Sequence, residues 1–236
     1  MSLPVAILAG GLATRLRPLT EKIPKVLLEV AGKPFAVHQL ELLRSHGLTR
    51  VVFCVGHMGE MVQAALGDGR NWGMNISYSF DGPTLLNTGG ALRRALPLLE
   101  KAFFVIYGDS YLECDYASVE QAFWNSRRLG LMTVFHNAEQ WDRSNVLFRG
   151  GHIERYDKVN RVPEMQHIDY GLGVLQAHVF DVYPLGTPFE LATIYQRLLT
   201  RDQLAAFEVT RRFYEIGSPA GLEETRQYLA TREEEG

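Results

Sequence analysis

The chain has 236 residues, of which 46% are hydrophobic and 22% are charged, and its formal net charge is −3. This length fits one large α/β domain or two small ones, and the near-balanced charge provides no general attraction to nucleic acid or to an anionic membrane surface. Two cysteines, Cys54 and Cys114, form neither a disulfide framework nor a metal-binding pattern, and because no basic-apolar leader or membrane-length apolar run is present, we expect a cytoplasmic protein.

The first 135 residues alternate between strand-like and helix-like patterns. Short apolar or β-branched runs predict strands at residues 5–9, 50–56, 75–80 and 102–110. Apolar residues at helical spacing, with glycine near one boundary, predict helices at residues 33–46, 57–66 and 88–99. This order predicts an α/β fold with a Rossmann-like, mostly parallel mixed sheet flanked by helices.

The remaining residues, from about 136 to 236, follow a less regular pattern. Residues 144–158 predict a hairpin that turns at Gly150-Gly151, and residues 168–177 predict a further strand. An amphipathic helix at 189–201, a late strand within 212–219 and a terminal helix complete the chain. Since no repeat or Pro/Gly/Ser-rich linker divides the sequence, we expect a single domain over residues 1–236 with an irregular α+β second half.

A glycine pair follows the first predicted strand. Gly10 and Gly11 are followed by several cations, among them Arg15 and Lys25. Ligands of parallel α/β sheets bind at the carboxyl ends of strands, and glycines there allow backbone N–H groups to surround phosphate oxygens. The loop has neither the Walker A pattern nor a G-x-G-x-x-G dinucleotide pattern. The residues themselves are compatible with a phosphate site of another type and with a plain glycine turn beside solvated cations.

The longer stretch around this loop, "LAGGLATRLRPLTEKIPKVLLEVAGKP" at residues 8–34, resembles the signature of the sugar-phosphate nucleotidyltransferases. That family pattern is approximately L-A-G-G-x-G-T-R-L-x-P-L-T, followed by P-K, an apolar run and K-P. Ala13 stands where the family usually has its third glycine, and its methyl group restricts the backbone angles of the loop.

Five further segments are similar to family segments, and they occur in the family order. They are "NTGGAL" at 87–92, "VIYGDSYL" at 105–112, "YDK" at 156–158, "IDYGLGVL" at 168–175 and "FYEIGSP" at 213–219. The resemblance covers nearly the whole chain and implies a nucleotide-binding half up to about residue 135 and a sugar-phosphate-binding half beyond it. It also implies the reaction of an NTP with a sugar 1-phosphate to give an NDP-sugar and pyrophosphate.

The resemblance implies a role for each matching residue. Arg15 would act on the pyrophosphate leaving group, and Lys25 would bridge the α-phosphate and the incoming phosphate. Asp109 and Glu215 would bind Mg²⁺, although the family usually has Asp at the position of Glu215. The remaining implied contacts are Leu8, Ala9, Gly10, Gly11, Thr88, Gly89 and Gly90 with the nucleotide, and Lys158, Asp169 and Gly171 with the sugar phosphate.

Several alternatives stay open at this point. The opening motif is closest to the short heptose- and mannose-type guanylyltransferases, so we expect GTP as the nucleotide. A UTP-dependent uridylyltransferase of a sugar-acid or muramic-type 1-phosphate is the alternative. A catalytically silent nucleotide-sugar-binding subunit is disfavoured because Arg15, Lys25 and Asp109 are all present, and a nicotinamide-dependent oxidoreductase lacks its fingerprint acid. The partners expected are an NTP and a sugar 1-phosphate, and homo-oligomer formation is left open.

Overall fold

The computed structural model describes residues 2–235, and of residues 233–235 only the backbone. The α-helices are α1 (Phe35–Ser45), α2 (Gly59–Leu66), α3 (Asn87–Ala95), α4 (Tyr116–Ser126), α5 (Leu191–Leu199) and α6 (Pro219–Glu235). The strands are β1 (Val5–Leu8), β2 (Glu29–Val30), β3 (Lys33–Pro34), β4 (Arg50–Val55), β5 (Asn75–Phe80), β6 (Ala102–Tyr107), β7 (Ser110–Tyr111), β8 (Gly130–His136), β9 (Val146–Arg149), β10 (His152–Tyr156), β11 (His167–Gln176), β12 (Leu204–Val209) and β13 (Tyr214–Glu215).

One mixed sheet of nine strands runs through both halves of the chain. Its main path has the order β10-β9-β11-β6-β1-β4-β5, and β8 joins it by pairing with β11 and with β12. The strands β6, β1, β4 and β5 are mutually parallel, whereas β11 is antiparallel to both β6 and β8. The predicted α/β class is therefore confirmed, and the second half of the chain adds antiparallel strands to the parallel half.

Helices cover both faces of this sheet. On one face α1, α2 and α4 bury residues such as Leu40, Val62 and Phe123 against the strands. On the other face α3 and α5 bury residues such as Leu92 and Ile194. Burying these apolar side chains is the main stabilising contribution to the fold, and it leaves the carboxyl ends of β1, β5 and β6 free to carry loops. Among the residues that the structure describes, no helix is long and apolar enough to span a membrane.

Several predicted boundaries differ from the structure for local reasons. The helix predicted from residue 33 begins at Phe35, because Lys33–Pro34 instead pair with Glu29–Val30. The helix predicted up to residue 99 ends at Ala95 and continues as one 3₁₀ turn, Leu96–Leu98, which contains Pro97. Proline has no N–H to donate to the preceding turn and clashes with it, so an α-helix cannot continue there unchanged.

Two strand predictions are also corrected. The strand predicted over 102–110 ends at Tyr107, turns at Gly108-Asp109, and is followed by the short β7. Of the late strand predicted within 212–219, only β13 forms, and it pairs with β7 in a separate two-stranded sheet. This pairing joins the middle of the sequence to its end.

The loop after β1 contains one residue in a strained conformation. Ala13 has φ 48° and ψ 41°, which is the left-handed helical region. Its carbonyl accepts hydrogen bonds from the Thr20 side chain at 2.8 Å and from the Leu16 backbone at 3.1 Å. These contacts hold the loop in place, although the methyl group makes the conformation unfavourable by about 1–2 kcal/mol.

We therefore expect Ala13→Gly to stabilise the protein. Glycine removes the strain, and its greater freedom in the unfolded chain offsets about 0.4–1 kcal/mol of that gain. The thermal midpoint should rise by about 1 to 4 °C, as measured by calorimetry. Ala64→Gly, on the exposed face of α2, is the matched control and should destabilise the protein by about 1 kcal/mol. A lower midpoint for Ala13→Gly would contradict the strain argument.

Candidate active site

Two cavities lie side by side at the carboxyl ends of the parallel strands. The first has a volume of about 430 Å³ and is lined by the loop after β1 and by the start of α3. The second has a volume of about 360 Å³ and is lined mainly by residues of the second half of the chain. Tyr107 and Asp109 line both cavities. The turn after β6 therefore forms the boundary between the two.

The glycine loop forms one wall of the first cavity, together with Leu8 and Ala9. A Cβ atom on Gly10 would lie 3.1 Å from the Gly56 nitrogen, so the loop passes close to the end of β4. A Cβ atom on Gly11 would have no described atom within 4 Å. The loop is thus packed on one side and open on the other, as a loop that receives a phosphate chain needs to be.

The start of α3 contributes Thr88 to the first cavity. Its hydroxyl donates to Oε2 of Glu190 at 2.6 Å and accepts from the Leu191 N–H at 2.7 Å. Gly89 and Gly90 do not line the cavity, although the sequence resemblance had suggested contact with the nucleotide. Both glycine N–H groups donate to the Phe189 carbonyl, at 2.8 and 3.2 Å.

The two glycines of α3 have a packing reason instead. A Cβ atom on Gly89 would lie 2.3 Å from the Phe189 ring, and one on Gly90 would lie 2.6 Å from the Thr187 carbonyl. Only glycine allows the segment before α5 to approach so closely. This approach brings Glu190 to the cavity beside Thr88.

An ion pair connects the opening segment to the turn after β6. Lys25, directly after Pro24, places its Nζ atom 2.5 Å from Oδ2 of Asp109, and about four-fifths of each side chain is buried. Burial acts to raise the pKa of Asp109, but the nearby Lys25 charge, helped by Arg15, outweighs it and holds that pKa below its ordinary value. Asp109 is therefore ionised at neutral pH.

Asp109 and Glu215 lie together although more than a hundred residues separate them in the sequence. The pairing of β13 with β7 places Glu215 opposite Ser110, and the Ile216 N–H donates to the Asp109 carbonyl at 2.8 Å. Burial, with a further contribution from the charge of Asp109, raises the pKa of Glu215. Two carboxylates with few other partners are typical of a site for a cation.

The space between these carboxylates exists because residue 217 is glycine. A Cβ atom on Gly217 would lie 3.4 Å from Oδ2 of Asp109, 3.3 Å from Oε2 of Glu215 and 3.2 Å from Nη2 of Arg15. Both acidic oxygens and one guanidinium therefore border the same small volume. Arg15 is exposed and lines neither of the two cavities.

This donor set fits Mg²⁺. Magnesium prefers hard oxygen ligands and usually takes one or two carboxylates, completing its shell with phosphate oxygens and water. Among the described residues, no group of three or more His, Cys, Asp or Glu side chains could hold a metal ion. The two carboxylates suit a metal ion that takes its remaining ligands from a bound phosphate and from water. They do not form a closed protein cage.

The second cavity contains the three residues that the resemblance connects with the sugar phosphate. Oδ2 of Asp169 lies 3.5 Å from Nζ of Lys158 and accepts from the Tyr156 hydroxyl at 3.0 Å, while Oδ1 accepts from the Gly171 N–H at 3.1 Å. Gly171 has φ 96°, at an irregularity in the pairing of β11. A residue with a side chain would be strained at this angle.

Lys158 is held in this cavity by its neighbours. Its Nζ atom lies 5.1 Å from the centre of the Tyr107 ring, a distance typical of a cation–π contact. Burial acts to lower the pKa of Lys158, but Tyr107 and Asp169 outweigh this effect and raise it. The ammonium group is therefore charged and available to an anionic ligand.

The sequence interpretation missed several residues that line the cavities. Asp81 lies in the first cavity and is only 4% exposed. Burial raises the pKa of its carboxyl, although the Leu86 N–H and the Arg94 charge act in the opposite direction. The position of Asp81 directly after β5, at a carboxyl end of the sheet, is a signal that could have identified it. Arg143, Asn145 and Arg161 in the second cavity lie in irregular segments with no such signal.

Comparison with known proteins agrees with this geometry. Residues 5–144 match the family model of the nucleotidyl transferases. The chain is 29% identical to the N-acetylmuramate alpha-1-phosphate uridylyltransferase of Neisseria meningitidis, over 93% of this chain and 95% of that protein. It is 31% identical to the mannose-1-phosphate guanyltransferase of Gibberella zeae, over 98% of this chain and 65% of that protein.

The same fold is found among solved structures. A Bacillus anthracis protein assigned as a glucose-1-phosphate thymidylyltransferase, crystallised with sucrose, superposes with a TM-score of 0.86 at 21% identity and covers 97% of this chain and 96% of that chain. The family match spans more than half of the chain and includes the glycine loop, Lys25 and Asp109. The chain belongs to the nucleotidyl transferase family.

Proposed function

We propose that the protein transfers a nucleotidyl group from an NTP to a sugar 1-phosphate, giving an NDP-sugar and pyrophosphate. The observation that carries the proposal is the meeting of two cavities at Asp109, where Lys25 and Glu215 also lie. One cavity has a glycine loop suited to a triphosphate, and the other has Lys158 beside hydrogen-bonding groups suited to a sugar phosphate. The curated relatives named above carry out reactions of this type according to their names.

The chemistry requires positioning and charge neutralisation more than proton transfer. An oxygen of the sugar phosphate attacks the α-phosphorus, a new P–O bond forms, and the bond to the β-phosphate oxygen breaks to release pyrophosphate. With a second pKa near 6, the attacking phosphate is already mostly deprotonated at neutral pH, so no general base is needed. The residues of the site serve to align two anions and to reduce their repulsion.

Each charged side chain has a place in this scheme. Lys25 is positioned to act on the α-phosphate, where charge develops during transfer, and Arg15 on the departing pyrophosphate. Lys158 binds the incoming sugar phosphate, and Asp169 accepts hydrogen bonds from sugar hydroxyls beside Gly171. Before substrates bind, Lys25 neutralises Asp109, so the ammonium group is already in position.

The proposed cofactor is Mg²⁺, which Asp109 and Glu215 would hold. When bound, it would act as a Lewis acid that neutralises charge on the phosphate oxygens. Gly217 keeps room for it between the two carboxylates.

The buried carboxylate of Asp81 supports GTP as the nucleotide. Its Oδ2 accepts from the Leu86 N–H at 3.0 Å, and its Oδ1 accepts no hydrogen bond from the residues that the structure describes. Guanine presents two adjacent donors, N1–H and the 2-amino group, which a carboxylate can accept together. Uracil presents one N–H between two carbonyl oxygens, which a carboxylate would repel.

UTP is the second candidate, and one observation favours it. The chain covers 95% of the Neisseria uridylyltransferase but only 65% of the Gibberella guanyltransferase. The likeness to the uridylyltransferase thus extends through both halves of this chain. A UTP-dependent activity would act on a sugar acid or a muramic-type 1-phosphate.

A panel of four NTPs tests the function and the base. Pyrophosphate release should occur with Mg²⁺, with mannose-, heptose- or N-acetylmuramate-type 1-phosphate as acceptor, and kcat/KM should favour GTP over UTP by about tenfold or more, equivalent to about 1.4 kcal/mol. Asp81→Asn should reduce that ratio because one acceptor oxygen becomes a donor. A tenfold preference for UTP or CTP would overturn the base assignment, and an unchanged ratio in Asp81→Asn would exclude Asp81 as the group that distinguishes guanine. No pyrophosphate with any pair would overturn the function.

Lys25→Ala should lower turnover by about 10²- to 10³-fold, because its charge acts where negative charge develops. The thermal midpoint should fall as well, because the mostly buried Asp109 loses its partner, so turnover is measured well below that midpoint. Lys22→Ala is the matched control, since Lys22 is an exposed cation in the same segment, and its turnover should equal that of the parent. Turnover of Lys25→Ala within about threefold of the parent would exclude a catalytic role for Lys25.

Gly217→Ala should weaken the dependence on Mg²⁺ without unfolding the protein. The added methyl would meet only the flexible ends of Arg15, Glu215 and Asp109, so the fold should tolerate it. The Mg²⁺ concentration for half-maximal activity should rise by about tenfold, or about 1.4 kcal/mol. Ala220→Ser, at an exposed position of α6, should leave it unchanged. An unaltered Mg²⁺ requirement in Gly217→Ala would place the metal elsewhere.

A further inference from the structure

A buried glutamine lies directly behind the turn that carries Asp109. Gln39 belongs to α1 and is only 3% exposed. Its Nε2 atom donates to the Tyr107 carbonyl at 3.1 Å and to the Ser110 carbonyl at 2.8 Å. These two carbonyls stand on either side of Gly108-Asp109, so one side chain spans the turn.

The orientation of the amide follows from its neighbours. Both groups that Gln39 faces across the turn are carbonyl acceptors, so its NH₂ must point toward them, and a flipped amide would place oxygen against oxygen. In this orientation Oε1 is buried without a hydrogen-bond partner among the described residues. An unpaired buried carbonyl is unfavourable for folding, and an apolar side chain would avoid it. The two hydrogen bonds that Gln39 donates to the turn therefore offset the cost of its unpaired Oε1.

Besides the Lys25–Asp109 ion pair, two backbone hydrogen bonds hold this turn. The Gly108 N–H donates to the Leu8 carbonyl at 2.9 Å, and the Ile216 N–H donates to the Asp109 carbonyl at 2.8 Å. A Cβ atom on Gly108 would lie 2.7 Å from the Leu8 carbonyl. The turn is therefore fixed by β1 on one side, by the end of β13 on another and by Gln39 from behind.

We propose that Gln39 is a positioning residue for the metal site, in that its two hydrogen bonds fix the turn so that the Asp109 carboxylate faces both Lys25 and Glu215. Gln39 touches neither cavity that would hold substrate, so it acts only through Asp109. The inference rests on the proposed function, because it takes Asp109 and Glu215 as the Mg²⁺ ligands.

The test uses Gln39→Met, which keeps the length of the side chain but donates no hydrogen bond. Binding of Mn²⁺ together with GTP is measured by electron paramagnetic resonance, with Mn²⁺ as the probe for Mg²⁺. We expect the Mn²⁺ dissociation constant to rise by about tenfold, equivalent to about 1.4 kcal/mol. The Mg²⁺ concentration for half-maximal turnover should rise with it, while the KM for the sugar phosphate stays near the parental value.

Two controls separate positioning from a loss of stability. Val62 is a core residue of α2 that does not contact the turn. Val62→Ala lowers stability and should bind Mn²⁺ as the parent does. Gln39→Glu keeps the shape but has at most one O–H to donate to the two carbonyls, so it should weaken Mn²⁺ binding as well. If Gln39→Met does not fold, Gln39→Glu gives the deciding measurement.

The outcomes distinguish this inference from the proposed function. If Asp109→Asn loses Mn²⁺ binding but both Gln39 variants bind Mn²⁺ like the parent, Gln39 has only a structural role and the inference is wrong. If Asp109→Asn itself binds Mn²⁺ like the parent, the metal assignment fails and the inference fails with it. Weakened Mn²⁺ binding in the Gln39 variants, with parental binding in Val62→Ala, supports it.

Discussion

The ion pair between Lys25 and Asp109 is the contact on which the rest of the site depends. It joins the 3₁₀ turn Lys25–Leu27 to the turn after β6, and both side chains are mostly buried. Two ions in such a position stabilise the protein only when each has its partner, since an unpaired buried charge is strongly unfavourable. Lys25 and Asp109 must therefore be paired in the folded protein before any substrate binds.

This constraint explains how an acidic protein can bind two anions. The formal net charge is −3, so attraction for phosphate must come from local placement. Three cations lie near the place where the two cavities meet: Lys25, Lys158 and the exposed Arg15. The two lysines are held there partly by Asp109 and Asp169, the carboxylates that they neutralise, and the charge of Arg15 also acts on Asp109. Each lysine side chain is thus already ordered by a carboxylate, and binding a phosphate therefore costs little further side-chain entropy.

The sequence allowed the front half to be predicted well because its signals are local. Apolar runs and glycine stops placed β1, β4 and β5 within a residue or two, and the segments at 8–34 and 105–112 that resemble the family pointed to Lys25 and Asp109. Such local patterns cannot predict the contacts of residues whose position depends on long-range packing. The sequence did not indicate that Gly89 and Gly90 pack against residues 187–190, and their contact with the nucleotide stays a prediction. Asp81 could have been identified from its place directly after β5, whereas nothing adjacent to Gln39 in the sequence signals the turn that it faces.

The continuous sheet has a consequence for how substrate preference can change. β11, which carries Asp169 and Gly171, is hydrogen-bonded directly to β6, which leads into Asp109. A slip of one residue between these strands would turn every side chain of β11 to the opposite face. The ladder thus fixes how β11 enters the second cavity relative to the turn that carries Asp109, whereas the segments carrying Asp81, Arg143 and Arg161 lie outside it. Residues of those loops can therefore be exchanged, and the lining of either cavity changed, without altering this register.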